Sequence, residues 1–125
     1  MRGIAAYKNV SLESSDQREL VIMCFEALLK RHNAAVECFD SKKFIDGVEH
    51  VRIAREILSE LLLGLDHEAA PELTSSLAGL YHYCILELTK AGHAMTEEHV
   101  ANSNVVVEQL YNGFKTAFSD GQGDV

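Results

Sequence analysis

Apolar residues recur at steps of three and four along nearly the whole chain, and a single proline, Pro71, interrupts them. That period belongs to the α-helix, which turns ~100° per residue and gathers such positions on one face. Glycines fall mostly where helices would end. With Pro71 they divide the 125 residues into a leader and four segments of helical length. The clearest segment runs from about Lys43 to Leu65. Its residues Gly47, Val51, Ala54, Leu58, Leu61 and Leu65 alternate steps of four and three, the heptad-like seam of a left-handed bundle. Gly47 lowers helix propensity there and is expected to let another backbone approach closely.

The other segments carry stripes of their own. Helix 1 is predicted from Asp16, a cap that Glu19 completes, to about Asp40-Ser41. Its face is Val21, Cys24, Phe25, Leu28, His32, Ala35 and Phe39. Helix 3 starts at Pro71, a favourable first helical position, and aligns Leu73, Leu77, Leu80, Cys84, Leu88 and Ala91. Gly92 is placed to close it in a left-handed conformation. Helix 4 opens on Thr96 as cap, with Glu97 and Glu98 where the helix dipole favours them, and Met95 and Val100 at staple spacing. Its face is Val100, Val107, Leu110, Tyr111, Phe114 and Phe118, and the weak helix formers Val105, Val106 and Val107 make it rely on packing. The short connection from Asp66 to Ala70 folds helix 3 back antiparallel. The expectation is an all-α, antiparallel up-down-up-down four-helix bundle over residues 16–118, after a leader at 1–15 and before a frayed tail at 119–125.

Charge and motif content narrow the function. Nineteen acidic against eleven basic residues give a net charge of −8, which repels a phosphate backbone and makes nucleic acid a poor partner. No run of 18 apolar residues occurs and the first residues lack a signal-peptide core, so no membrane insertion is expected. Cys24, Cys38 and Cys84 have neither disulfide-framework nor zinc spacing and fit a reducing, cytoplasmic setting. None of the six histidines has a carboxylate three residues before it, and no His-x-x-x-His pair exists, so no metal or other cofactor is expected. P-loop, GxGxxG and GxSxG motifs are absent. A thiol on an apolar helical face has its pKa raised, and the chain is not expected to be an enzyme.

Several large apolar residues point away from their own helix's stripe. They are Ile22 and Met23 in helix 1, Ile45 and Leu63 in helix 2, Tyr83 and Leu86 beside Gly79 in helix 3, and Val105 in helix 4. A bundle needs one stripe per helix, so a second stripe must meet the leader, another copy of the chain or a partner. Single exposed apolars are ordinary, whereas the partial stripe on helix 3 points to a partner.

Four stretches, in order and at the right separations, resemble the flagellar export chaperones of the FliS family. Ala6-Tyr7, Asn9 to Ser14 and Glu19-Leu20-Val21-Ile22-Met23 are similar to that family's opening, A-Y, an extended stretch and then T-A-S-P-x-E-L-V-x-M-L-Y-D-G. Ile53 to Leu61 with Leu65-Asp66 resembles its K-A-x-x-I-I-x-E-L…L-D, and Leu77 to Tyr83 its L-x-x-L-Y-x-Y. Leu110-x-x-x-Phe114 stands where the family usually has L-R-x-x-W. The likeness covers about residues 4 to 118. Gln17 replaces the helix-start proline, Phe25-Glu26-Ala27 replaces Y-D-G, and Tyr111 and Phe114 replace the Arg and Trp.

The resemblance implies a non-enzymatic bundle that binds the disordered C-terminal segment of flagellin, prevents its premature polymerisation, and helps deliver it to the flagellar type III export gate. It also implies that the leader lies over part of the client site. Combined with the second stripe, the expected partner-binding residues are Ile4, Tyr7, Val10, Ile22, Met23, Ile45, Leu63, Gly79, Tyr83 and Leu86. A monomer or weak homodimer is expected. The alternative is a structural bundle that self-associates through the second stripe.

Overall fold

The computed structural model describes residues 15–120. They form four helices, α1 (Ser15–Asp40), α2 (Phe44–Leu63), α3 (Pro71–Ala94) and α4 (Glu97–Asp120), and no strand is present among the described residues. Each helix packs on its neighbours in the order α1–α2–α3–α4 and back to α1, the square section of an antiparallel bundle.

The turns follow from local chemistry. At the end of α1 the Lys43 amide donates to the Cys38 carbonyl (2.7 Å) and the Lys42 amide to that of Phe39 (3.1 Å). Lys42 takes a left-handed φ of 62°, so this is a Schellman closure built on lysine rather than glycine. Between α2 and α3, Asp66 Oδ1 accepts from the amides of Glu68 (3.0 Å) and Ala69 (3.3 Å), and the Thr74 hydroxyl donates to the Asp66 carbonyl (3.1 Å). Pro71 occupies the first turn of α3, as expected.

Gly92 does not close α3. The helix continues to Ala94, and Met95 is the left-handed cap (φ 56°, ψ 39°), its amide donating to the Ala91 carbonyl at 2.8 Å. Gly92 stays helical and faces α2, where a Cβ would lie 3.9 Å from Val51 Cγ1. The seam of α2 is buried as read, from Gly47 through Val51, Ala54, Leu58 and Leu61, and Leu65 beyond its end is buried too. Gly47, however, admits no backbone. A Cβ there would lie 2.5 Å from Cε1 of the Phe39 ring. Gly47→Ala is therefore expected to melt lower than the parent, because overpacking of about 1–3 kcal/mol outweighs the roughly 1 kcal/mol of helix propensity gained. Gly113→Ala, with nothing within 4 Å of the added carbon, should melt higher. Thermal unfolding of the two variants checks the pair.

Besides burying Thr74 and Glu87 of α3, the core departs from the expected stripes at two further places. In α3, Tyr81 is fully buried while Leu80 is 39% exposed. In α4, Ser103 is buried between Val100 and Val107. His32, on the core face of α1, explains the second. Asn104 Nδ2 donates to Glu108 Oε1 (2.6 Å), which turns Asn104 Oδ1 toward His32 Nδ1 at 2.9 Å. An amide oxygen only accepts, so Nδ1 carries the proton and Nε2 accepts from the Ser103 hydroxyl at 3.1 Å. Burial pushes the His32 pKa down, partly opposed by the Asn104 bond.

Candidate functional site

The last turns of α4 stand between two apolar clefts. The first, of about 410 Å³, lies against α1 and is lined by Arg18, Glu19, Ile22, Met23, Glu26, Lys115 and Phe118. Arg18, Ile22 and Glu26 follow at steps of four, which puts them along one edge of α1. On the facing edge of α4, Tyr111 donates its hydroxyl to Glu26 Oε2 (2.8 Å), and Lys115 Nζ sits 4.8 Å from the Tyr111 ring centroid. A ladder of rings fixes Phe118. Phe114 packs on Phe25 with centroids 5.2 Å apart, and Phe118 meets Phe114 edge-on at 5.6 Å.

The second cleft, of about 230 Å³, lies on the other flank of α4 against the start of α3. Its lining is Leu73, Leu77, Gln109, Leu110, Gly113, Phe114 and Ala117. Gly113 and Ala117, four apart on α4, are too small to fill the space between the two helices, and that opens the cleft. A third and wider hollow, about 630 Å³, lies over the middle of α2 and reaches Ile85 of α3. Its rim is charged. Arg52 there holds Glu49 and Glu56 at 2.6 Å each.

The nearer half of α4 is fastened differently. Glu87, a buried residue of α3, receives Asn102 Nδ2 at 2.7 Å, has His99 Nδ1 at 3.1 Å, and has Lys90 Nζ at 3.3 Å from its other oxygen. Hydrogen bonds from Asn102 and His99, with the Lys90 ammonium, hold its carboxyl down to about 2. With His32 gripping Ser103 and Asn104 from the α1 side, polar bonds tie this half to both neighbours.

The expected partner residues separate into groups. Ile22 and Met23 come together in the α1–α4 cleft. Gly79, Tyr83 and Leu86 share the outward face of α3 and are exposed. Ile45 and Leu63 sit at opposite ends of α2, both strongly exposed. Ile4, Tyr7 and Val10 lie outside the described residues. Phe118, Leu73 and Ala117 were not among the expected site residues. Phe118 and Leu73 have core periodicity and line the clefts with the one edge the core leaves uncovered.

Burial pushes the Cys24 and Cys84 thiols up, away from the thiolate form a nucleophile needs. Among the described residues no group of three His, Cys, Asp or Glu is gathered to hold a metal ion, and no helix is long and apolar enough to cross a membrane.

Fold and clefts define the class, a four-helix bundle with two apolar clefts on the flanks of one helix. The chain belongs to the FliS family, since the family profile described as flagellar protein FliS matches residues 1–121. It is similar to the flagellar secretion chaperone FliS of Escherichia coli (strain K12), 30% identical over 95 residues, which span 72% of this chain and 70% of that one. A crystal structure of a flagellar chaperone from bacteria superposes with a TM-score of 0.79 over 88% of this chain and 89% of its own, at 21% identity. That likeness concerns the fold alone.

Proposed function

We propose that the chain is a flagellar secretion chaperone that binds the disordered C-terminal segment of flagellin, keeps it from polymerising prematurely, and helps deliver it to the export apparatus. The observation that carries this reading is the pair of clefts beside α4. A disordered segment that folds on binding needs apolar channels between helices to receive the apolar side of each short helix it forms. It also needs a large surface to offset its ordering entropy. Two clefts on opposite flanks of one helix supply the channels, and the rest of the surface comes from the helix faces around them. The charged surface around them suppresses non-specific association, in keeping with the net charge of −8. In the same reading the leader residues Ile4, Tyr7 and Val10, which lie outside the described residues, take part in recognising the client.

Co-purification with flagellin tests the proposal. Full-length flagellin should be retained, and flagellin lacking its C-terminal segment should be lost. Equal retention of both would place recognition elsewhere on the client.

A further inference from the structure

The hollow over the middle of α2 is separate from the clefts, because α2 stands diagonally across the bundle from α4. Its floor is aliphatic. Ile53 and Ile57, one turn apart on α2, and Ile85 across on α3 line it, and all three are half-buried. At about 630 Å³ it is larger than either cleft beside α4.

The two arginines beside this floor are matched unequally. Arg52 is satisfied by its own helix. Its Nη2 donates to Glu49 Oε2 and its Nη1 to Glu56 Oε1, each at 2.6 Å, and its Nε donates to Glu49 Oε1 at 2.9 Å. Arg55 has no such partner. Its Nη1 stands 3.4 Å from Thr89 Oγ1, a long contact, and its Nε is shielded from solvent with no acceptor. Thr89 brings no counter-charge, and its own hydroxyl donates to the Ile85 carbonyl at 2.8 Å. Among the described residues Arg55 forms no ion pair. A buried donor on a charged group that finds no acceptor is costly, and native folds keep few of them. Glu60 also lines the hollow without an ion pair. It lies roughly 140° round the helix from Arg55, too far for the two to satisfy each other.

We propose that this hollow seats an amphipathic helix of a second partner protein, whose apolar stripe is edged by a carboxylate on one side and a basic residue on the other. The stripe packs on Ile53, Ile57 and Ile85, the carboxylate pairs with Arg55, and the basic residue meets Glu60. The guanidinium presents its donors as a fork that matches carboxylate oxygens in pairs. A helix fits because helix-in-groove docking reads apolar anchors at steps of three and four, and Ile53 and Ile57 have that spacing. An extended segment needs a sheet edge to pair with, and no strand is present among the described residues. A strongly acidic partner fits less well, because Glu56 and Glu60 line the same hollow. The clefts beside α4 stay open while the hollow is filled.

Fluorescence anisotropy with two synthetic peptides tests the docking. Each is about 18 residues long, roughly 27 Å of helix, with leucines at steps of three and four in a background of alanine and glutamine. Both carry an arginine at one edge of the leucine stripe. At the other edge one carries a glutamate and the other a lysine. The glutamate peptide should bind the parent at least about tenfold more tightly than the lysine peptide. Arg55→Glu should reverse that order, a result that a purely structural role of Arg55 would not produce. Ile53→Asp should weaken the glutamate peptide at least about tenfold. Circular dichroism checks that each variant is folded, and where Arg55→Glu is not, Arg55→Gln should erase the preference between the peptides. A glutamate peptide that does not bind the parent overturns the proposal. So does equal binding of the two peptides, a preference unchanged by substitution of Arg55, or binding indifferent to Ile53→Asp.

Discussion

A flagellin C-terminal peptide should bind Met23→Asp and Ala117→Asp each about tenfold more weakly than the parent, and the double variant about a hundredfold more weakly. Met23 lines the α1–α4 cleft and Ala117 the α3–α4 cleft. A carboxylate placed in either would be covered by the client in place of an apolar contact; the α3–α4 cleft has no cation among its lining residues, and in the α1–α4 cleft Arg18 and Lys115 stand beside Glu19 and Glu26, so the covered charge is costly at both. About 1.4 kcal/mol at each cleft gives the tenfold steps, which add because the clefts lie on opposite flanks of α4. Met23 is 59% exposed and Ala117 half-buried, so thermal unfolding should change little. Titration calorimetry with the peptide provides the measurement. Unchanged affinity in both single variants, with loss in Tyr83→Asp, would move the client to the outward face of α3.

His32→Ala should cost about 2–5 kcal/mol, more than any surface substitution considered above. It removes a side chain only 1% exposed and leaves Ser103 and Asn104 without their buried partner. The same residue gives stability a pH signature. Burial lowers the folded-state pKa of His32, so the unfolded chain takes up a proton near pH 6.5 that the folded chain refuses. The His32 contribution is complete above about pH 6.5 and declines as pH falls, by up to about 1.4 kcal/mol per pH unit, until the folded-state pKa is reached. Glu87 acts in a separate, lower window. Its carboxyl is held at about 2, so its contribution is present above the ordinary carboxylate range near 4.3 and is lost between there and about pH 2. Urea unfolding at pH 7, 6 and 5 (on His32→Leu as well, where Ala proves too unstable) should show a slope in the parent that the variant lacks. Equal slopes would assign the titration to another group.

Much of the bundle is legible in the sequence because a helix with a single apolar stripe has one way to face its neighbours. The α2 seam is such a case, and all of it is buried. In α3 the pattern is ambiguous by one position. Leu80 and Tyr81 both fit between Leu77 and Cys84 at steps of three and four, and hydrophobicity favours the leucine. The structure buries Tyr81, the larger side chain, whose neighbours on that face are Thr74 and Leu88. Polar interior residues escape an apolar count by construction. Ser103 and Glu87 are inside because His32 and Asn102 satisfy them, and those partners lie 71 and 15 residues away. Met95 replaces Gly92 as the cap because the geometry of the two-residue connection to α4 decides where α3 stops. The clefts were half visible. Ile22 and Met23 stand out as misplaced apolars, whereas the gap beside Gly113 and Ala117 exists only once α3 and α4 are packed together.

The uneven fastening of α4 means that the bundle does not soften evenly. Near its start, Glu87 and His32 clamp the helix from both sides with bonds that are lost together or not at all. Toward Asp120 it is held by stacked rings and by Tyr111, next to clefts with few atoms to lean on and a glycine at 113. Local opening therefore begins at the end that shapes the clefts and stops at the clamp. The walls of the proposed client site are thus the part of α4 with the fewest polar ties to its neighbours. They can settle around ligands that differ by a methyl group or a turn, while the remainder of the scaffold keeps its register.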